Sequence, residues 1–249
     1  MTPQEVLRLR DLVWGPAKLR NLSSTTLGEG PRGQTWADIL VVAEEIVEDA
    51  LRRAMTSPVQ GERAQIGRRC AINDAVRKAT VYPGFYAMPL YVSEGFLADV
   101  ATAEAALQPA DPGSKRRRSV SRPACCEEHV VPIAVHCSGT KIIAEPETNL
   151  VKLRRTLLGP ICLITRGEDA TLPAGSRKRS ERPNRPFQRY AGVADIRRTD
   201  DGTRIDPETF SFRDHLRIMA AHPAYATAVP LFHSGARTWR DRVAAMRQA

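Results

Sequence analysis

An acid and an imidazole stand side by side at Glu128 and His129, immediately before a run of apolar and β-branched residues. A free imidazole titrates at about pH 6.5, so its neutral form can accept the proton of a water molecule at working pH. An acid–histidine pair is useful for hydrolysis when the fold holds it at the edge of a cavity. The elements around the pair therefore decide whether it can act.

The neighbouring sequence predicts a β-hairpin followed by a helix. β-Branched residues at 130–135 and 142–143 flank Cys137–Thr140, whose composition is typical of a turn. Thr148 can cap a helix that continues to about Leu158. In this arrangement the hairpin would hold the imidazole over a cavity, and the helix would supply a further metal ligand or phosphate contact from across it.

The same segment resembles a known family. Glu128–Pro132, which reads EHVVP, resembles the acid-His-hydrophobic-hydrophobic-Pro opening of HNH nucleases, the ββα-metal group. Asn149-Leu150, at the start of the predicted helix, is similar to the central Asn-Leu of that motif. The resemblance covers residues 125–158, which is under a fifth of the chain.

The resemblance implies a phosphodiester hydrolase in which His129 is the general base, Glu128 binds a divalent cation and Asn149 orients the histidine. The implied cation is Mg²⁺ or another divalent ion such as Mn²⁺, because hard cations prefer the oxygen ligands of carboxylates and phosphates. The segment departs from the family in its spacing, since His129 and Asn149 are 20 residues apart. The predicted helix also carries no His, Asn or Asp at 150–158 as a third ligand.

Two other interpretations of this segment stay open. His129 can be an ordinary hydrogen-bonded strand residue on a non-catalytic hairpin. Cys125, Cys126, His136 and Cys137 could instead bind zinc, although adjacent cysteines do not easily ligate one ion and no Cys-x-x-Cys spacing is present. Buried, unreactive thiols are the commoner role of such cysteines.

The charge of the chain favours a polyanionic partner. The 249 residues include 37 Lys and Arg against 28 Asp and Glu, a net charge of +9, and DNA is the partner that we predict. No apolar stretch approaches the roughly 18 residues that span a bilayer, and no secretory signal is recognised, so we expect no membrane association. Five cysteines do not suggest a disulfide framework and favour a reducing, cytoplasmic compartment.

Three basic segments are the predicted contacts to the DNA backbone. They are a Pro- and Ser-rich linker at 108–124, the outer face of the helix predicted at 148–158, and a basic loop at 176–190. The residues predicted to bind nucleic acid are Lys115, Arg116, Arg117, Arg118, Arg154, Arg155, Arg177, Lys178 and Arg179.

The N-terminal part of the chain is predicted to be mostly helical. Apolar residues at three- and four-residue steps indicate a helix over 36–55, with its acidic residues, Glu44 among them, on the solvent face. A second helix is expected over 62–80, before a proline-broken connector at 82–91, and a third runs from an N-cap at Ser93 to about residue 107. The residues expected to face inward from the second helix are Ile66, Cys70, Ala71 and Val76.

The C-terminal part is predicted to mix strand and helix. Residues 159–165 form an apolar run that indicates a buried strand, and a helix is expected around Phe212–Ala221. Phe187 and Tyr190 could stack on nucleobases, but burial under the strand is the favoured role. The histidines expected in core or surface positions rather than in a catalytic site are His215, His222 and His233.

Together these elements predict an α+β fold, with a helical N-terminal part followed by a small ββα-type hairpin–helix unit and an additional strand and helices. We expect a helical, DNA-binding part at 1–107, a flexible basic linker at 108–124 and a nuclease-like part at 125–249. The expected function is that of a metal-dependent DNA endonuclease of restriction or mobile-element type. The alternative is a non-catalytic basic DNA-binding protein, and the oligomeric state is left open, a homodimer included.

Overall fold

The computed structural model describes residues 1–23, 36–56, 58, 60–86, 90–107, 123–131, 156, 158–173, 184–221 and 229. Within these residues the chain is an α+β protein with six α-helices and one four-stranded sheet, which confirms the predicted fold class. The helices, numbered over the described residues, are α1 (Pro3–Ser23), α2 (Trp36–Thr56), α3 (Glu62–Tyr86), α4 (Glu94–Ala105), α5 (Arg166–Thr171) and α6 (Phe212–Ala221).

The chain divides into two compact units. The first contains residues 1–22, 89–130 and 160–212, and the second contains residues 23–88, 131–159 and 213–249. The sheet belongs to the first unit, whereas α2 and α3 belong to the second. No helix in the described part of the chain is long and apolar enough to cross a membrane.

The sheet of the first unit is mixed. Its strands are β1 (Tyr91–Ser93), β2 (Cys125–His129), β3 (Ile161–Thr165) and β4 (Ile196–Arg198). They lie in the order β2-β3-β1-β4, with β1 parallel to β3 and the other two pairs antiparallel. Within the described residues β2 is therefore an edge strand.

The two parallel strands each run directly into a helix, and one carboxylate serves both helix starts. The hydroxyl of Ser93 accepts the N–H of Phe96 at 3.0 Å, which caps α4, and the hydroxyl of Thr165 accepts the N–H of Glu168 at 3.0 Å, which caps α5. The Glu168 carboxylate accepts from the Thr165 N–H at 2.8 Å and from the Ser93 hydroxyl at 2.6 Å. Since these side chains satisfy N–H groups that a helix leaves unpaired, they fix where both helices begin.

The start of α4 also needs a residue without a side chain. A Cβ atom at Gly95 would overlap the carboxylate of Glu168, so only glycine lets that carboxylate lie against the helix. The close approach of backbone and carboxylate is one of the functions that glycine serves in proteins.

An aromatic cluster forms the core of the first unit. The rings of Tyr91 and Phe187 meet edge to face with centroids 4.8 Å apart, and Phe187 also contacts Phe210 at 5.3 Å and Tyr190 at 5.9 Å. Tyr91, Phe187 and Tyr190 are at most 1% exposed, which confirms burial as the role of the last two. The cluster fixes residues 187–190 close to strand β1, and residues 188–190 form a short 3₁₀ helix.

In the second unit α2 packs against α3. Val47 and Leu51 of α2 and Ile72 and Val76 of α3 are fully buried, at the spacing expected for facing helical stripes.

The Nε2 atom of His215, at the start of α6, lies 2.7 Å from the carbonyl oxygen of Leu158 and is buried. His215 is thus a core histidine, as predicted.

Several elements match the sequence prediction closely. Helix α2 covers the expected 36–55, β3 lies inside the expected 159–165, and α6 has the expected bounds. Helix α4 begins after the predicted N-cap, Ser93, and ends at Ala105. These elements have local signals, so local reasoning was sufficient for them.

The prediction of which residues of α3 are buried is wrong for three of its four positions. Ile66 is 45% exposed and Cys70 and Ala71 are exposed, whereas Val76 is buried as predicted. Among the side chains of α3 that the structure describes, the buried ones are Ile72, Ala75 and Val76, and the first turns are open to solvent.

The end of α3 was also predicted wrongly. The helix continues to Tyr86 through Pro83, although a connector was expected from residue 82. A proline within a helix removes one hydrogen bond and its ring crowds the carbonyl four residues before it, and here the helix ends three residues after Pro83. The prediction that Glu44 of α2 lies on the solvent face is also wrong, because its side chain is only 5% exposed.

The first strand of the predicted hairpin is shifted. It covers Cys125–His129, whereas residues 130 and 131 form bends, so the strand expected at 130–135 is wrong at its start. The reason is its partner: β2 pairs along its whole length with β3, and the N–H of Val130 then binds the carbonyl of Pro160. The predicted turn at Cys137–Thr140 and second strand at 142–143 lie outside the described residues; of the predicted helix, Thr156 is described and is helical.

Candidate active site

Glu128 and His129 occupy the last two positions of β2. In the ladder with β3 they pair with Cys162 and Ile161. Successive residues of a strand point to opposite faces of the sheet, so the two side chains leave β2 in opposite directions. The structure therefore keeps the acid and the imidazole adjacent in the chain but not on the same face.

Arg189, in the 3₁₀ helix, makes an ion pair with Glu128. Its Nη2 atom donates to Oε1 of Glu128, and lies 3.4 Å from the hydroxyl of Tyr190. The guanidinium also lies over the Tyr190 ring, 5.2 Å from its centroid. The arginine side chain is 6% exposed and the glutamate side chain 27%, so a nearly buried cation is held beneath a carboxylate that is open to solvent.

His129 is uncharged at neutral pH. Burial of the ring and, after it, the positive charge of Arg189 lower its pKa to about 4, while the negative charge of Glu127 acts in the opposite direction. A neutral imidazole has one nitrogen without a proton, and that nitrogen can accept a hydrogen bond or a proton. Its low pKa also makes it a weaker base than a free imidazole.

Among the described residues, three polar side-chain atoms at the end of β2 and in the 3₁₀ helix are buried and have no hydrogen-bond partner. They are Nε2 of His129, Oε1 of Gln188 and Nε of Arg189. Buried polar groups without a partner are rare in folded proteins, and they often mark a place that a ligand or an ordered water fills. The orphaned atoms come from the end of β2 and the start of the 3₁₀ helix, so these two elements define the candidate site.

Two cysteines of the first unit have thiols with raised pKa values, whereas His136 and Cys137 of the zinc interpretation lie outside the described residues. Cys162 is fully buried, and burial raises the pKa of its thiol well above the ordinary value. The Cys126 thiol lies 3.7 Å from Oδ2 of Asp169, and burial, together with that carboxylate, raises its pKa as well. Both thiols are therefore protonated and poor ligands at neutral pH. Cys70 and Cys125 are free thiols too.

The described residues offer limited support for a divalent cation. No group of three or more His, Cys, Asp or Glu side chains that could hold a metal ion occurs in the part of the chain that the structure describes. Glu128 has one oxygen engaged by Arg189, which leaves the other for a cation. This arrangement fits Mg²⁺ better than zinc, because Mg²⁺ commonly binds through one or two carboxylates with water and substrate phosphates as the remaining ligands.

Of the residues predicted to form the site, the structure describes Glu128 and His129. Asn149, the predicted orienting residue, lies outside the described residues. The same holds for every residue predicted to bind nucleic acid, namely Lys115, Arg116, Arg117, Arg118, Arg154, Arg155, Arg177, Lys178 and Arg179.

Arg189 is the residue that sequence reasoning missed. It was counted with the basic loop at 176–190, whose charges were expected to face solvent or DNA. Its sequence context differs from theirs, because it stands in Phe187–Val193, a segment with two buried aromatic residues. A charged residue inside an otherwise apolar segment is seldom buried without a partner, and that signal could have identified it.

Comparison of the chain with protein-family models, with curated proteins and with solved structures finds no match. The resemblance of residues 125–158 to HNH nucleases therefore depends on the residues quoted above and stays a prediction.

Proposed function

We propose that the protein is an endonuclease that hydrolyses phosphodiester bonds of DNA with the help of a divalent cation. The observation that carries the proposal is the neutral imidazole of His129, whose Nε2 has no partner among the described residues and whose pKa is lowered in part by the charge of Arg189. An imidazole, a carboxylate and a guanidinium are the groups that phosphodiester hydrolysis requires to accept a proton, bind a cation and bind a phosphate.

In the proposed reaction His129 acts as the general base. In the tautomer with its proton on Nδ1, Nε2 accepts the proton of a water molecule while the water oxygen forms a bond to phosphorus. The bond from phosphorus to the leaving sugar oxygen breaks, and that oxygen takes a proton from solvent. A divalent cation on Glu128 would neutralise negative charge on the phosphate oxygens.

The net charge of the chain favours an anionic substrate. The net charge of +9 attracts DNA, and charge of this size increases the rate of association more than it determines specificity.

A plasmid-nicking assay tests the proposal. We expect supercoiled DNA to be nicked in Mg²⁺ or Mn²⁺ and not in EDTA, and we expect His129→Ala to lower the rate about 100-fold or more, the usual contribution of a general base. Cys125→Ser is the matched control, because Cys125 lies four residues from His129 on the same strand and the proposed reaction gives it no role. Circular dichroism establishes that each variant is folded.

Two results would contradict the endonuclease. One is a wild-type protein that cuts no DNA with either metal ion; the other is a His129→Ala protein that cuts as fast as the Cys125→Ser control.

A second candidate is a non-catalytic DNA-binding protein. The specific observation in its favour is the ion pair itself, because a buried arginine needs a carboxylate for stability whether or not catalysis occurs. This candidate predicts DNA binding with a steep dependence on salt concentration and no cleavage under any metal ion.

A further inference from the structure

A groove of about 450 Å³ runs between α2 and α3, beside their buried contact. Its floor consists of small or aliphatic residues at positions i, i+4 and i+8 on each helix, so it follows one stripe of α2 and one stripe of α3. These residues are Ile46, Ala50 and Ala54 on α2 and Gly67, Ala71 and Ala75 on α3. The pair of helices therefore presents an elongated apolar groove.

The α3 side of the groove has room for a helix to approach. A Cβ atom placed on Gly67 would meet no atom within 4 Å, and both Gly67 and Ala71 are exposed. The distance between packed helices depends on the side chains at their contact, so small residues permit the closest approach. Ile66, the large aliphatic residue next to Gly67, is exposed as well. The first turns of α3 thus have the composition of a helix-packing surface.

The charges that line the groove lie toward opposite ends. Residues 57–61 join α2 to α3, and helices joined by so short a loop run antiparallel. Arg53 and Arg68 line the end of the groove near this loop. Asp74 lies six residues beyond Arg68, about 9 Å further along α3 at 1.5 Å per residue. The groove is therefore positive at one end and negative at the other.

The positive end carries charge in excess. Arg52 and Arg53 both pair with the single carboxylate of Asp49, so two cations share one anion. Arg68 and Asp74 already interact within the chain. A partner would therefore be attracted to the two ends by their overall charge, and not by an unpaired group.

This pattern of charge is complementary to itself. DNA or a uniformly acidic peptide would meet the negative charge of Asp74 at one end of the groove. A second copy of the hairpin avoids this when it packs face to face, about a two-fold axis that lies in the interface and crosses the groove. The positive end of each copy then lies on the negative end of the other.

The size of the surface is at the lower limit for a specific interface. Two helices of about 20 residues present a face about 30 Å long and about 20 Å wide, or about 600 Å². Two copies would bury about 1,200 Å² in total, the smallest area that stable complexes commonly use. The contact should therefore be specific but weak.

We propose that the groove between α2 and α3 is the contact surface for a second copy of this chain, with the two helical hairpins packed antiparallel. The interface does not depend on the endonuclease, since it involves none of the residues of the candidate active site.

Sedimentation equilibrium of the full chain tests the interface. We expect monomer and dimer to exchange within about 1–300 μM, because interfaces of this size bind weakly. Arg53→Glu and Asp74→Arg each place like charges together at both ends of the dimer, so each should raise Kd about tenfold or more. Arg52→Glu is the matched control, because Arg52 pairs with the same Asp49 but does not line the groove. It should dimerise like the wild type.

A mixture of the Arg53→Glu and Asp74→Arg proteins gives a result that misfolding cannot imitate. In the mixed dimer the new glutamate of one variant meets the new arginine of the other, and the unchanged Arg53 meets the unchanged Asp74. We expect the mixture to dimerise although neither variant does so alone.

Gly67→Leu tests the floor of the groove without changing charge. Leucine favours a helix more than glycine does, so the thermal midpoint of the monomer should not fall. The new side chain would occupy the space that the second copy approaches, and Kd should rise about tenfold or more.

Three results would overturn the inference. The first is a wild type that stays monomeric up to about 300 μM, the limit that the interface area sets. The second is a dimer whose Kd is unchanged in Arg53→Glu and Gly67→Leu, or is raised as much by Arg52→Glu as by Arg53→Glu. The third is a mixture of folded variants that stays as monomeric as its components.

Discussion

Protonation of His129 should destabilise the folded protein by about 3 kcal/mol. The pKa of the ring is about 4 in the folded protein, against about 6.5 in an unfolded chain, and one pKa unit corresponds to about 1.4 kcal/mol. Since the folded value is the lower one, the unfolded chain binds a proton that the folded chain does not. We therefore expect this contribution to be lost progressively as the pH falls from about 6.5 to about 4.

Two measurements check the value. Two-dimensional NMR of the imidazole carbons follows the titration of His129 itself, and urea unfolding at several pH values compares the wild type with His129→Gln, which has no titrating ring. We expect the wild type to lose stability relative to this variant within the stated pH window. Arg189→Met should raise the pKa because it removes a positive charge, whereas Glu127→Gln should lower it because it removes a negative one.

A pKa of His129 near 6.5 in the folded wild type would contradict this prediction, since the ring would then be neither buried nor close to a cation. The prediction also fails if Arg189→Met leaves the pKa unchanged. Either result would show that the His129 ring is not a buried, neutral imidazole close to Arg189, and the proposed active site depends on that arrangement.

Two further predictions concern stability. The buried ring of His215 has a pKa of about 4, whereas His215→Gln keeps a donor for the hydrogen bond to the Leu158 carbonyl and cannot titrate. Between about pH 6.5 and pH 4 the variant should therefore lose less stability, measured by urea unfolding, than the wild type. Equal losses would be evidence against a neutral core histidine. Gly95→Ala should lower the free energy of unfolding by about 1–3 kcal/mol, because its Cβ would push the Glu168 carboxylate from its hydrogen bonds, and an unchanged thermal midpoint would contradict that packing.

Local signals explain what the sequence could predict. The spacing of Val47 and Leu51 in α2, the N-cap Ser93 and the apolar run of β3 each depend on residues close together in the chain. The capping box of Thr165 and Glu168 has a local signature as well, a threonine followed three residues later by a glutamate.

Long-range pairing explains what the sequence could not predict. The limits of β2 depend on its register with β3, and no local pattern states which segment a strand will pair with. Burial of Glu44 and exposure of Ile66 depend in the same way on what the second unit places against each helix. The site required a similar step, since Arg189 reaches Glu128 across 61 residues of sequence.

The single carboxylate of Glu168 joins the starts of α4 and α5, and this has a consequence for how the sequence can vary. Ser93, Gly95, Thr165 and Glu168 form one constraint although they come from two distant segments. Replacing any one of them leaves the others with unsatisfied groups or with unfilled space, so natural variants should exchange them as a set. A protein engineer who grafts either strand–helix corner into another scaffold should therefore transfer all four residues together.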